Sequence, residues 1–188
     1  MLLVTVPTIE VQAGGGGAQG GGSIPEPGWR KTDDGHWYYN DGTIFKVTGW
    51  EKIDGKWYYL EEEHGYMQTG WLNDGGKWYF LDRTKGEMRT GWVKTGGNWY
   101  YLERTGVMTT GWQKISGSWY YMNEKGAMQT GWIKDGSKWY YLDKSGAMQK
   151  NKWIGNYYVQ SDGSMATDKW IGNYYVGSNG KWDKNKKK

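Results

Sequence analysis

Apolar and polar positions alternate along this chain in short runs, and the apolar positions are mostly aromatic. The stretch Trp50–Leu60, read WEKIDGKWYYL, shows the pattern. Asp54-Gly55 divides it. An Asp-Gly pair between alternating runs is the strongest short-range hairpin signal, because both central positions of a type I′ turn need positive φ. With that pair as the loop, Ile53 faces Lys56, Lys52 faces Trp57, Glu51 faces Tyr58 and Trp50 faces Tyr59. Side chains alternate between the two faces of a strand. Trp50, Trp57 and Tyr59 therefore share one face, and Tyr58, Ile53 and Leu60 share the other. Equivalent turn dipeptides are Asp74-Gly75, Gly96-Gly97, Ser116-Gly117 and Gly136-Ser137. The first unit carries Asp33, Asp34 and Gly35 between its strands, which predicts a longer turn.

The hairpin is one unit of a repeat. Gly-Trp recurs at Trp29, Trp50, Trp71, Trp92, Trp112 and Trp132, in steps of 21, 21, 21, 20 and 20 residues. A second Trp follows each, at Trp37, Trp57, Trp78, Trp99, Trp119 and Trp139. Five units then carry Gly-x-Met, ending at Met67, Met88, Met108, Met128 and Met148. Two shorter units, both W-I-G-N-Y-Y-V, begin at Trp153 and Trp170, and Trp182 ends the pattern. A lone two-stranded hairpin is marginal in water and cannot bury both faces. Stacking solves this, so the expected fold is all-β, a solenoid of about eight stacked two-stranded β-hairpin repeats spanning residues 28–188. Met residues, flexible and polarisable, suit the gaps between hairpins.

Composition fits such a thin body. Of 188 residues only 37% are apolar, yet there are 15 Trp and 16 Tyr, so any core is aromatic-rich. Residues 1–27 stand apart: Gly14–Gly17 and Gly20–Gly22 have a flexible-linker composition, and Pro25 and Pro27 close it. The apolar piece Leu2–Val11 reads as a remnant of a neighbouring domain or an appended tag, with a strand as the alternative; the glycines lack a phosphate-loop pattern, and Met1–Val6 is too short and lacks the basic start of a signal peptide. The absence of cysteine excludes disulfides and thiol chemistry.

Where two hairpins meet, two Trp faces of one face a Tyr of the next. The predicted sets are Trp29, Trp37 and Tyr58; Trp50, Trp57 and Tyr79; Trp71, Trp78 and Tyr100; Trp92, Trp99 and Tyr120; Trp112, Trp119 and Tyr140; and Trp132 and Trp139 with Tyr157 or Tyr158. The Met of the connecting loop can floor each. Three electron-rich faces suit a bulky cation that cannot hydrogen-bond, which is a quaternary ammonium. Each site is modest alone, and a row of them on a multivalent polymer gains through effective concentration. Two other readings stay open: aromatic packing with no ligand, and sugar stacking on the same rings. Glu51, Asn73, Thr95, Gln113 and Asp135 keep no single polar type, which weakens the sugar reading.

Nothing in the chain argues for an enzyme. His36 and His64, the only histidines, occupy different repeat positions. The carboxylates, Asp54 and Asp74 among them, sit in turns that repetition explains, and Glu61–Glu63 reads as a solvated connector. No cofactor and no metal is expected. The net charge of +4 includes a lysine tip at the end of the chain, but acids balance the lysines along the array. No continuous basic stripe for a nucleic acid results.

The units resemble the choline-binding, or cell-wall-binding, repeats of pneumococcal surface proteins and phage lytic enzymes. Thr-Gly-Trp recurs at Thr48–Trp50, Thr69–Trp71, Thr90–Trp92, Thr110–Trp112 and Thr130–Trp132. Trp-Tyr-Tyr-Leu recurs at Trp57–Leu60, Trp99–Leu102 and Trp139–Leu142, and Gly-x-Met at Gly126–Met128. The resemblance spans 28 to about 182. It implies recognition of choline or phosphocholine on teichoic and lipoteichoic acids at the bacterial cell surface. It also implies sites built from two Trp of one repeat and a Tyr of the next, often with a Met. Such modules anchor an attached catalytic or adhesive domain, and often dimerise through a terminal repeat. Related repeats in glucan-binding transferases and clostridial toxins bind sugars. The last two units depart from the pattern: Asn156-Tyr157 and Asn173-Tyr174 replace the second Trp, so weak or absent sites are expected there.

Overall fold

The computed structural model describes residues 26–186 and 188. The expectations for the Gly-rich segment lie, as far as residue 25, outside the described residues. Among those residues every regular element is a strand. The strands form successive antiparallel hairpins: β1 (Gly28–Lys31) with β2 (Trp37–Asn40), β3 (Gly49–Ile53) with β4 (Lys56–Leu60), β5 (Gly70–Asp74) with β6 (Lys77–Leu81), and β7 (Gly91–Thr95) with β8 (Asn98–Leu102). They continue with β9 (Gly111–Ile115) and β10 (Ser118–Met122), β11 (Gly131–Asp135) and β12 (Lys138–Leu142), and β13 (Lys152–Ile154) and β14 (Tyr157–Val159). The last is a three-stranded sheet of β15 (Lys169–Ile171), β16 (Tyr174–Val176) and β17 (Trp182–Asp183). The fold is thus an all-β solenoid of stacked hairpins, numbered 1 to 8 below in chain order.

The register of hairpin 2 is the one expected from its sequence, with Trp50 opposite Tyr59, Glu51 opposite Tyr58, Lys52 opposite Trp57 and Ile53 opposite Lys56. Asp54 and Gly55 take φ of 50° and 81°, the signs of a type I′ turn. Gly96-Gly97 and Ser116-Gly117 do the same. At Gly136-Ser137 only the glycine has positive φ, the sign pattern of the type II′ alternative. Hairpin 3 differs from expectation. Its loop is Gly75-Gly76, not Asp74-Gly75, and Asp74 stays in β5 opposite Lys77. Two glycines take positive φ without the Cβ penalty that Asp would carry. Hairpin 1 has the longer loop expected, with Lys31 opposite Trp37.

Backbone bonds hold one hairpin to the next. Met88 donates its N–H to the Trp57 carbonyl at 2.7 Å, while Arg89 donates to the Phe80 carbonyl of its own hairpin at 2.8 Å. The two residues straddle hairpins 2 and 3. Met67 does the same with Trp37, Met108 with Trp78, Met128 with Trp99, Met148 with Trp119 and Met165 with Trp139, all at 2.7–2.8 Å. A hairpin edge that would otherwise be open is thereby partly paired. Along the inside of the stack lie Leu60, Leu81, Leu102, Met122, Leu142, Val159 and Val176, all fully buried. Each ends the second strand of its hairpin, on the face opposite the Trp of the first strand.

Connecting glycines make this close stacking feasible. A Cβ added at Gly86, Gly106, Gly126, Gly146 or Gly163 would overlap the side chain of the preceding loop's Met, and the φ at Gly126 is +77°. Only glycine satisfies both the backbone conformation and the contact.

Candidate functional site

Alternation along hairpins 1 to 6 puts the two Trp of each on one face, and the stack brings a Tyr of the following hairpin against them. Trp50 meets Tyr79 with ring centres 4.8 Å apart, inclined at 61°. Trp29 meets Tyr58 at 4.9 Å, Trp71 meets Tyr100 at 4.8 Å, Trp92 meets Tyr120 at 5.0 Å, and Trp112 meets Tyr140 at 4.9 Å. Trp132 meets Tyr157 at 5.4 Å, which separates the two alternatives at this point. Tyr158 points to the other face of hairpin 7, where it pairs with Trp153 at 5.4 Å, so it is not a wall of this site. Within hairpins 3, 4 and 5 the two Trp rings stand nearly perpendicular, at 6.3–6.4 Å and 85–90°.

Clefts of 310–380 Å³ occupy four of these junctions. In chain order they belong to site 1 (Trp29, Trp37, Tyr58, Met67), site 3 (Trp71, Trp78, Tyr100, Met108), site 4 (Trp92, Trp99, Tyr120, Met128) and site 6 (Trp132, Trp139, Tyr157, Met165). Site 2 (Trp50, Trp57, Tyr79) and site 5 (Trp112, Trp119, Tyr140) repeat the ring geometry, and Met88 and Met148 are placed beside them by the same backbone bonds to Trp57 and Trp119. At both, the first Trp is pinned. Trp50 Nε1 donates to Asp74 at 2.9 Å, and Trp112 Nε1 donates to Asp135 at 3.0 Å. Asp74 is therefore a strand residue with a partner in the site wall, not a turn residue.

The second Trp of each pair is 40–44% exposed at all six positions, from Trp37 to Trp139. An isolated exposed aromatic is ordinary; the same large ring left half in water at every equivalent position is an organised surface. The chain itself illustrates the chemistry at its far end, where the Lys186 ammonium lies 3.7 Å from the centre of the Tyr175 ring.

Sequence reasoning missed two features. Met165 floors site 6, although Gly163-Ser164-Met165 carries the same Gly-x-Met signal as the earlier units. The mouth of each cleft comes from a third hairpin's connecting loop: Thr84, Lys85 and Glu87 at site 1, Glu124 and Lys125 at site 3, Lys144 and Ser145 at site 4, and Asn179 at site 6. The carboxylates that open these loops are staples. Asp82 accepts the Thr84 and Lys85 backbone N–H groups at 3.0 Å, and those bonds hold its carboxyl down to about 2. The Ser145 hydroxyl lowers Asp143 and the Ser164 hydroxyl lowers Asp162 in the same way.

The terminal junction is altered. Trp153 meets Tyr174 at 5.7 Å, Asn156 stands where a second Trp would be, and Trp182 takes the Met position, its N–H donating to the Asn156 carbonyl at 2.8 Å. Trp182 and Tyr174 are 5.2 Å apart. A ring on β17 thus stands at this junction where the others have a methionine.

Two other groupings differ in kind. A cleft of 380 Å³ beside hairpin 1 is lined by Tyr39, Ile44, Phe45, Lys46 and His64 and contains no Trp. Glu61, Glu63 and His64 have potential metal-ligand atoms within 4.8 Å of one another. The Glu61 oxygens already accept the Glu63 and His64 backbone N–H groups at 2.7 Å, so they brace the connecting loop.

Models of choline-binding repeats match residues 47–90, 89–121 and 109–153, and a second model of the same description matches 147–182. No curated protein sequence is matched. CbpJ from Streptococcus pneumoniae is similar in structure, with a TM-score of 0.77 and 41% identity over 84% of this chain and 58% of that one. Choline binding protein F from the same organism gives 0.77 and 37% identity over 85% of this chain and 58% of that one. It has also been solved in complex with ipratropium and in the presence of a peptidoglycan analogue. The modular autolysin LytC from Streptococcus pneumoniae gives 0.61 and 25% identity over 84% of this chain and 42% of that one. The chain therefore spans less than two thirds of the length of these similar structures. On its repeats, its fold and these matches, the chain belongs to the choline-binding repeat family.

Proposed function

We propose that this chain is a non-catalytic binding module that takes the quaternary ammonium of choline or phosphocholine into aromatic cages between successive hairpins. The observation that carries the reading is the repeated geometry of a Trp inclined on the next hairpin's Tyr, a second Trp left half-exposed, and a Met beneath. A trimethylammonium group is large, weakly hydrated and unable to donate hydrogen bonds. It gains cation–π attraction from each ring and apolar contact from the methionine, about 0.5–2 kcal/mol per face. The half-exposure of the second Trp leaves an entry path. The ipratropium complex of choline binding protein F is consistent with this, since ipratropium is itself a quaternary ammonium compound.

Up to six such cages in a row suit a polymer that carries many copies of the cation, because each additional engagement is intramolecular. Choline-bearing teichoic and lipoteichoic acids at the bacterial cell wall are that polymer in this reading. The module then anchors an attached domain at the cell surface. The test is a titration with choline followed by intrinsic Trp fluorescence and near-UV circular dichroism, against ammonium chloride at matched ionic strength and a soluble glucan. A saturable change with choline alone supports the reading. A response to the glucan and none to choline moves the chain to the sugar-binding branch.

A further inference from the structure

At sites 1, 3, 4 and 6 the cage takes its walls and floor from two neighbouring hairpins and its mouth from a third. The third loop places Lys85 at site 1, Lys125 at site 3 and Lys144 at site 4. At site 6 it places Asn179. Aromatic faces attract a cation, whereas an ammonium at the mouth repels one. For a bare quaternary ammonium the two features oppose each other. For a cation that carries an anion a few bonds away they cooperate, because the cation fills the cage and the anion comes to rest at the mouth.

Site 4 is the clearest case. Lys144 and Ser145 line it with no carboxylate. The neighbouring Asp143 is occupied elsewhere, accepting the Ser145 N–H and hydroxyl at 2.8 and 2.6 Å and the Gln149 amide at 2.7 Å. At site 1 Glu87 is neutralised by Lys56, whose ammonium is 2.6 Å away, which leaves Lys85 as the uncompensated charge. At site 3 Lys125 stands beside Glu124.

We propose that Lys85, Lys125 and Lys144 are specificity-determining residues that bind the phosphate joined to the choline ammonium. These sites then prefer a choline phosphoester to free choline, and site 6 does not. The inference rests on the cage reading above. The shared chemistry is a phosphoester two carbons from a quaternary ammonium, found on a wall polymer or on a phosphatidylcholine headgroup.

Calorimetric titration at low ionic strength, with choline and with phosphocholine, tests it on the chain and on K85Q/K125Q/K144Q. An ammonium and a phosphate about 6 Å apart across water imply a preference on the order of threefold for phosphocholine. The expected result is that preference in the parent chain and its loss in the triple variant, with choline affinity unchanged or raised by up to about threefold as the repelling ammonium groups are removed. K85R/K125R/K144R keeps the charge and retains the preference, which separates charge from folding. An equal affinity of the parent chain for both ligands, or a preference unchanged in the triple glutamine variant, overturns the proposal. Failure of the parent chain to bind choline at all sinks the cage reading itself, a different outcome. Glycerophosphocholine binding without retention on phosphatidylcholine vesicles assigns the phosphoester to a polymer. Vesicle retention lost in the triple variant assigns it to the lipid, and vesicle retention unchanged there counts against the lysines.

Discussion

The side chain of Met108 occupies the space into which a Cβ on Gly126 would project. Gly126 belongs to the loop after hairpin 5, and Met108 floors site 3, whose walls come from hairpins 3 and 4. One glycine thus sets the depth of a cage to which its own hairpin contributes no ring. Gly126→Ala forces the methionine out of place and strains a backbone at φ +77°. The expected cost is about 1–3 kcal/mol, with choline stoichiometry lower by one. Denaturant unfolding and calorimetry read the two effects separately.

Trp78 separates binding from folding. It is 44% exposed, although it forms one wall of site 3. Packing alone has little use for a ring half in water. Trp78→Leu is expected to remove one choline equivalent and to change stability by less than about 1 kcal/mol. A large loss of stability with no change in stoichiometry would mean that the ring is there to pack.

Leu102 supports the same cage from behind. It is fully buried beside Phe80 and Val93, and Trp71 and Met108 pack against that cluster. Leu102→Ala leaves a cavity worth about 2–5 kcal/mol. In a repeat array each unit leans on its neighbours, so the defect is expected to spread to hairpins 3 and 5. Hydrogen exchange across those strands is the measurement, with faster exchange expected in β5 to β10.

Asp82 carries a pH dependence. Folded, its carboxyl titrates near 2 because the Lys85 and Thr84 N–H groups and the Thr84 hydroxyl bond its anion, against an ordinary 3.8. The folded state thus binds the proton less readily than the unfolded state. Its stabilising contribution is present above about pH 4 and is lost as pH falls toward 2. Thermal melts between pH 5 and 2 are expected to fall more steeply for the chain than for Asp82→Asn. The variant starts lower at pH 5.

Much of this architecture is legible in the aromatic spacing. The register of hairpin 2 follows from Asp54-Gly55 and strict alternation, and the Trp–Tyr contacts between hairpins follow from the faces so defined. The loop of hairpin 3 is legible too. Trp71 and Trp78 are seven residues apart, as are Trp50 and Trp57, and that spacing selects Gly75-Gly76 over Asp74-Gly75. What the repeat cannot carry is contact between units two apart. Lys144 reaches a site whose Trp pair lies in β7 and β8, and nothing in the period of one hairpin encodes how the third one turns. Trp182 is illegible for a related reason: it enters the last junction in the role of a methionine.

In the proposed binding mode a quaternary ammonium sits between Trp71, Trp78 and Tyr100, above Met108, and in the equivalent places along the stack. A crystal structure of the chain grown with choline tests it most directly. The expected result is trimethylammonium density enclosed by those three rings, repeated at the other junctions that share the geometry. Empty cages at saturating choline, or density lying only outside the rings, would contradict it.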